Sequence, residues 1–113
     1  MINVEEIREY CISKPQVSEG FPFGGEVLVF KVYSKMFALI DLQNPDTINL
    51  KCEPENAIAL RERYDEVQPG YHMNKKHWNT ISLMGTLTQN QITQFINDSY
   101  DLVLKSVPRK KLI

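Results

Sequence analysis

Val27-Leu28-Val29-Phe30-Lys31-Val32-Tyr33-Ser34-Lys35-Met36-Phe37-Ala38-Leu39-Ile40-Asp41-Leu42 is the stretch on which the fold of this chain turns. It is rich in β-branched and aromatic residues, the types that suit a pleated and buried surface. Tyr33-Ser34-Lys35 makes a hairpin connection between two strands, 27–32 and 36–42. Moving outward, Asn44-Pro45-Asp46 is a turn, and Thr47-Ile48-Asn49-Leu50-Lys51-Cys52 alternates between apolar and polar residues. Ile48, Leu50 and Cys52 therefore point to a core, while Asn49 and Lys51 point away. Connections this short join antiparallel neighbours, because a parallel pair needs a long crossover.

Before this meander lies a helix. Asn3 caps it and Glu6 answers three residues later, with Ile2 and Ile7 spaced as a hydrophobic staple. Val4, Ile7, Tyr10 and Cys11 line one face, and Pro15 ends the helix near Lys14. Residues 15–25 contain Gly20-Phe21-Pro22-Phe23-Gly24-Gly25, an ordered loop whose two phenylalanines are expected to tuck into the core or under a neighbouring strand. Its glycines lack the Gly-Lys-Ser/Thr ending of a phosphate-binding loop.

After the meander, Pro54 opens a second helix over about 54–64, with Ala57, Leu60 and Tyr64 as its apolar stripe. Residues 65–70 form a loop, and a strand runs from Trp78 to Leu83. Thr88 with Gln91 makes a capping box for a last helix over about 89–106, supported by a Leu87–Ile92 staple. Pro108 ends it before a basic tail, Arg109-Lys110-Lys111. This order predicts an α+β domain spanning residues 1–113, an antiparallel sheet with helices packed on one face. Ile7, Phe37, Leu39, Leu50, Ile81, Ile92, Phe95, Ile96 and Val103 are the expected core. The other face stays partly open, and an open antiparallel face is a place to bind something.

Length and composition bound the function. The 113 residues are 42% hydrophobic and 24% charged, values of one soluble globular domain. No apolar run approaches the roughly 18 residues of a membrane span, and the acidic start lacks signal-peptide character. A cytoplasmic protein without a membrane partner is expected. Cys11 and Cys52 stand far apart in no metal-ligand spacing, so both read as buried free thiols. The net charge of −1 hides an asymmetry. Residues 1–66 hold seven Lys and Arg against twelve Asp and Glu, a balance of −5; residues 67–113 hold six against two, a balance of +4. No carboxylate occurs between Glu66 and Asp98. Such a split points to a polyanionic partner.

Inside that acid-free span lies Gly70-Tyr71-His72-Met73-Asn74-Lys75-Lys76-His77-Trp78-Asn79-Thr80, which holds both histidines and the one tryptophan. Lys75 and Lys76, with Asn74, His77, Trp78, Asn79 and Thr80 beside them, offer cationic and amide donors for phosphates. Tyr71, His72, His77 and Trp78 could instead line a pocket for a planar or anionic ligand, or for a protein. Set against both, a tryptophan opening a strand is more often a filler, adjacent lysines more often a solvated turn, and the rings more often structural. No carboxylate orients either histidine locally and no nucleophile motif stands out, so no catalytic residue is assigned and an enzyme is not expected. Two histidines without a local third ligand do not make a metal site, and no cofactor is implied.

Several segments together resemble the MmcQ/YjbR family: Ile7-Arg8-Glu9-Tyr10-Cys11, Glu19-Gly20-Phe21-Pro22-Phe23-Gly24, Lys35-Met36-Phe37-Ala38-Leu39, Asn49-Leu50-Lys51-Cys52, Pro69 through Thr80, and Tyr100-Asp101-Leu102-Val103. The resemblance covers nearly the whole chain. It implies a small bacterial domain with a CyaY-like arrangement of helices over an antiparallel sheet. It also implies DNA binding through a double-wing arrangement of strands and loops. With a sequence pI near 6.1 and no helix-turn-helix, zinc-finger or RNP signature, binding of double-stranded DNA by the basic stretch 70–80 is expected to be weak and largely sequence-independent. Glu53 departs from the family pattern, which more often places a better cap such as Asp before the helical proline. A small-molecule or protein ligand in the aromatic and histidine stretch is the alternative. Oligomeric state is left open, with a monomer as the default.

Overall fold

A computed structural model of the chain describes residues 3–71 and 73–108. Three helices, α1 (Val4–Ile12), α2 (Pro54–Arg63) and α3 (Gln89–Ser106), accompany six strands. The strands are β1 (Val17–Gly20), β2 (Val27–Val32), β3 (Lys35–Asp41), β4 (Thr47–Lys51), β5 (Val67–Pro69) and β6 (Trp78–Ser82). They form one antiparallel sheet in the order β1-β2-β3-β4-β6-β5. The α+β architecture expected from the sequence is the one observed.

Both predicted capping boxes are present. Asn3 and Glu6 exchange side-chain bonds across the start of α1, and Thr88 and Gln91 do so at α3. Ile2 of the expected staple lies outside the described residues. Glu53, the departure from the family pattern, makes no side-chain cap for α2. Tyr33 and Ser34 carry the two-residue hairpin between β2 and β3, both at positive φ, 48° and 70°. Two left-handed central residues give the turn whose twist matches the flanking strands.

The helix-side core is built from Ile7, Phe30, Phe37, Ile40, Ile48 and Ile96, all fully buried. Tyr100 meets Phe37 edge-on at 5.4 Å and donates its hydroxyl to the Pro15 carbonyl at 2.6 Å. Ser99 bridges two strands from α3: its hydroxyl donates to the Phe37 carbonyl at 2.6 Å and accepts the Lys51 N–H at 2.9 Å. Those bonds serve a bulge. Phe30 pairs with Ala38 and Lys31 with Met36, so Phe37 is an inserted residue, and it joins Ala38 in the core on the helix side.

Four expectations need correction. Phe21 and Phe23 are not tucked in; they are 47% and 62% exposed. The β1–β2 pairing ends at Gly20 and Val29, and the connection beyond it leaves Phe21 beside Val29 and Phe23 beside Val27 and Leu39, residues apart from the helix-side core. Phe95 is only partly buried, standing at the core's rim against Tyr64 with ring centroids 6.0 Å apart. Leu39 is buried but belongs to a second cluster, with Val29 and Trp78, apart from the helix-side core. Residues 17–20 and 67–69, read as loop, are edge strands. A two-toothed ion pair from Arg8 to Glu19, at 2.6 and 2.8 Å, ties β1 to α1.

Candidate functional site

The face of the sheet opposite the helices carries a groove of about 670 Å³. Alternation explains its floor. Ile48 and Leu50 of β4 turn to the core, so Thr47 and Asn49 are left on the other side, beside Leu39 of β3 and Thr80 of β6. Val27, Met36 and Met73 make the floor apolar, and Trp78 with Val29 fills in beneath them. Phe23 rises from one side and Tyr71 from the other, both largely exposed at the rim. Asp41 is the one charged side chain among the described residues lining this groove.

The loop between β5 and β6 forms the far wall, and its shape is set by its own bonds. Gly70 lies so close to β6 that a Cβ there would sit 2.9 Å from the Trp78 Cβ and 3.0 Å from the Trp78 carbonyl oxygen. Only glycine permits that approach. The Asn74 carbonyl accepts the N–H groups of His77 and Trp78, and its side chain accepts the Lys76 N–H at 2.9 Å. Arg61 of α2 braces the loop from behind. Its guanidinium donates to Asn79 Oδ1 at 2.6 Å and to the carbonyls of Lys75 and Trp78.

These bonds sort the residues singled out from sequence. Tyr71 and Thr80 line the groove. Trp78 is 7% exposed and acts as filler beneath it, not as a stacking platform. Asn79 is corrected: at 1% exposure it faces α2 and donates to the Ala57 carbonyl, so it contacts no external partner. Lys75 folds back, its ammonium donating to the Gly70 carbonyl at 2.9 Å. Asn74 and Lys76 are exposed on the turn. His77 is half-buried, and its carbonyl accepts the Cys52 N–H at 2.7 Å. His72 and the tail Arg109-Lys110-Lys111 lie outside the described residues. Phe23, Asp41 and Asn49 were missed. The outward turn of Asn49 was legible, but its neighbours come from strands far away in sequence.

Among the described residues no three His, Cys, Asp or Glu side chains come together as a metal site. No described helix is long and apolar enough to cross a membrane. Burial pushes the Cys11 thiol up to about 12. Burial, then the charges of Asp98 and Glu53, also raise the half-buried Cys52. Cys52 borders a second cavity, between α2 and α3, of only about 200 Å³. Small-molecule sites usually need upward of about 300 Å³, which favours the sheet-face groove.

The sequence pattern of the YjbR family matches residues 12–102. The chain is 31% identical to the YjbR protein of Escherichia coli K12 over 111 residues, covering 97% of this chain and 94% of that one. It is 34% identical to YbdF of Escherichia coli O157:H7, covering 94% and 88%. A crystal structure of a Deinococcus radiodurans protein with a DUF419 domain superposes with a TM-score of 0.89 at 38% identity, over 98% of this chain and 86% of that one. A Pseudomonas syringae protein superposes with a TM-score of 0.77 at 29% identity, covering 90% and 99%. With its helices over an antiparallel sheet and a family match through most of its length, this chain belongs to the YjbR family.

Proposed function

We propose that the protein is a non-enzymatic binding module whose ligand site is the groove on the open face of the sheet. The observation that carries this reading is the groove itself: about 670 Å³, an apolar floor, a few polar groups and two exposed aromatic rings at its rim. That size and make-up are those of small-molecule sites. The two thiols, with pKa values raised, are poorly placed as nucleophiles, which supports binding over catalysis. The test is a fragment screen by ligand-observed NMR, repeated on Thr47→Trp, whose indole would fill the groove. Compounds that bind the wild type should lose binding to this variant. Hits that bind both equally would refute the site.

Duplex DNA held by the 70–80 loop is the second reading, favoured by the exposure of Lys76 in a span without carboxylates. The bond from Lys75 to Gly70 changes what this reading predicts. Lys76→Ala should reduce the slope of log K against log salt by about 0.9, the value of one phosphate contact. Lys75→Ala should change it less, because its ammonium must first leave the carbonyl. Lys35 serves as the control, since its ammonium is bound at the end of α3 to the Ser106 carbonyl at 3.0 Å. Lys31 does not, being half-buried on the open side of β2. Wild-type binding to duplex DNA no tighter than that of Lys75→Glu, Lys76→Glu at low salt would end this reading.

A further inference from the structure

We infer that the ligand of this groove is a neutral, planar molecule of one or two fused rings, recognised through a hydrogen-bond acceptor by the side-chain amide of Asn49. The inference rests on the groove being the binding site and adds the chemical class of what it takes.

A chain of hydrogen bonds fixes which end of Asn49 is offered. The Thr80 hydroxyl accepts the Tyr71 N–H at 2.9 Å and gives its one hydrogen to Asn49 Oδ1. The carboxamide oxygen is thereby held toward β6. Its two N–H donors have no acceptor among the described residues. Asn49 pairs with Leu39 across the strands, and Val27, Met36 and Met73 complete the floor. None of these side chains is more than a weak acceptor. A half-buried donor in such surroundings gains most from a ligand carbonyl or ring nitrogen, because an unpaired polar group is costly once water is displaced.

Charge narrows the class further. Asp41 supplies the only formal charge lining the groove among the described residues, and one of its oxygens already accepts the Gln43 N–H at 2.9 Å. A phosphate or carboxylate would be desolvated beside that carboxylate with no described lining cation to offset it. Asp41 lies two residues along β3 from Leu39, the cross-strand partner of Asn49. That diagonal spacing is about 7–8 Å, so a ligand of one or two fused rings whose acceptor meets Asn49 lies within the span between Asn49 and Asp41. Phe23 and Tyr71, on opposite sides, are positioned to cover its faces.

The experiment titrates the full ¹⁵N-labelled chain with two planar bicyclic probes, neutral quinolin-2-one and anionic naphthalene-1-carboxylate. Quinolin-2-one should saturably shift the signals of Val27, Leu39 and the Asn49 side chain, and bind more tightly than the anion. Asn49→Leu should weaken it about fivefold or more, the scale of one lost hydrogen bond. Asn49→Asp, which exchanges the donor for an acceptor, should move the preference from quinolin-2-one to the 2-aminoquinolinium cation. It also serves if the leucine variant fails to fold. Equal binding of the anion, or a quinolin-2-one affinity unchanged in both variants, would overturn the ligand class. If those probes still compete for the groove and lose it in Thr47→Trp, the binding-module reading survives that failure. If no probe shifts any groove residue, both fall together.

Discussion

On the helix side of the sheet, Phe30, Phe37, Ile40 and Ile48 are sealed beneath α1 and α3. On the opposite side Val29, Leu39 and Trp78 are nearly as well buried, yet no helix covers them. Their cover is one another, Val27, Met36 and the returning Met73. The difference explains why β2 and β3 read as continuous apolar runs instead of alternating ones. A strand with two apolar faces loses its period-two signal. It also separates roles. The helix side is interlocked and carries the stability, whereas the open side keeps apolar floor within reach of a ligand.

Truncating matched residues should destabilise the two faces unequally. Phe37→Ala should cost about 3–5 kcal/mol and Leu39→Ala about 2 kcal/mol, measured by urea denaturation. Equal losses would mean that the open face contributes as much to the core as the covered one. Ser99→Ala strips the bridge between β3 and β4 on the helix side, leaving the Phe37 carbonyl and the Lys51 N–H to find other partners. About 2 kcal/mol should be lost, and hydrogen exchange at Lys51 should accelerate.

On the open side, Gly70→Ala should cost about 1–2 kcal/mol by overpacking against Trp78. NMR shifts should concentrate in residues 70–78 and leave α3 unmoved. Ser34→Gly acts on the turn that both faces share. Relieving its left-handed backbone should stabilise the fold by about 0.5–1 kcal/mol; a lower thermal midpoint would show that the serine side chain matters there.

The smallest effect concerns Glu66, whose carboxylate accepts both the hydroxyl and the N–H of Thr86. Those bonds hold its pKa below the usual value of 4.5. A depressed folded pKa gives stability that is present above the unfolded value and lost as pH falls through the folded one. Glu66→Gln should therefore lower stability slightly at neutral pH and flatten the decline below pH 4.5. A parallel offset at every pH would remove the carboxylate's charge from the account.

Both capping boxes, the long apolar face of α3 and four strands, β2, β3, β4 and β6, were legible in the sequence. Each rests on residues three or four apart, on alternation, or on β-branched and aromatic content within one segment. Other features were not. β1 and β5, four and three residues long, are too short to carry a period of their own and exist through their partners β2 and β6. The bulge at Phe37 decides that Phe37 and Ala38 join one core while Leu39 joins the other, and bulges arise from register with a neighbour. Lys75 looked free until the Gly70 carbonyl claimed it, and Asn79 looked available until Arg61 and Ala57 enclosed it. The groove is the extreme case. Phe23, Asp41, Asn49 and Tyr71 come from four separate segments, and only strand pairing brings them to one surface. Local chemistry determined the helices, the central strands and the family. The binding face was decided by tertiary structure, because a side chain's availability depends on which distant groups reach it first.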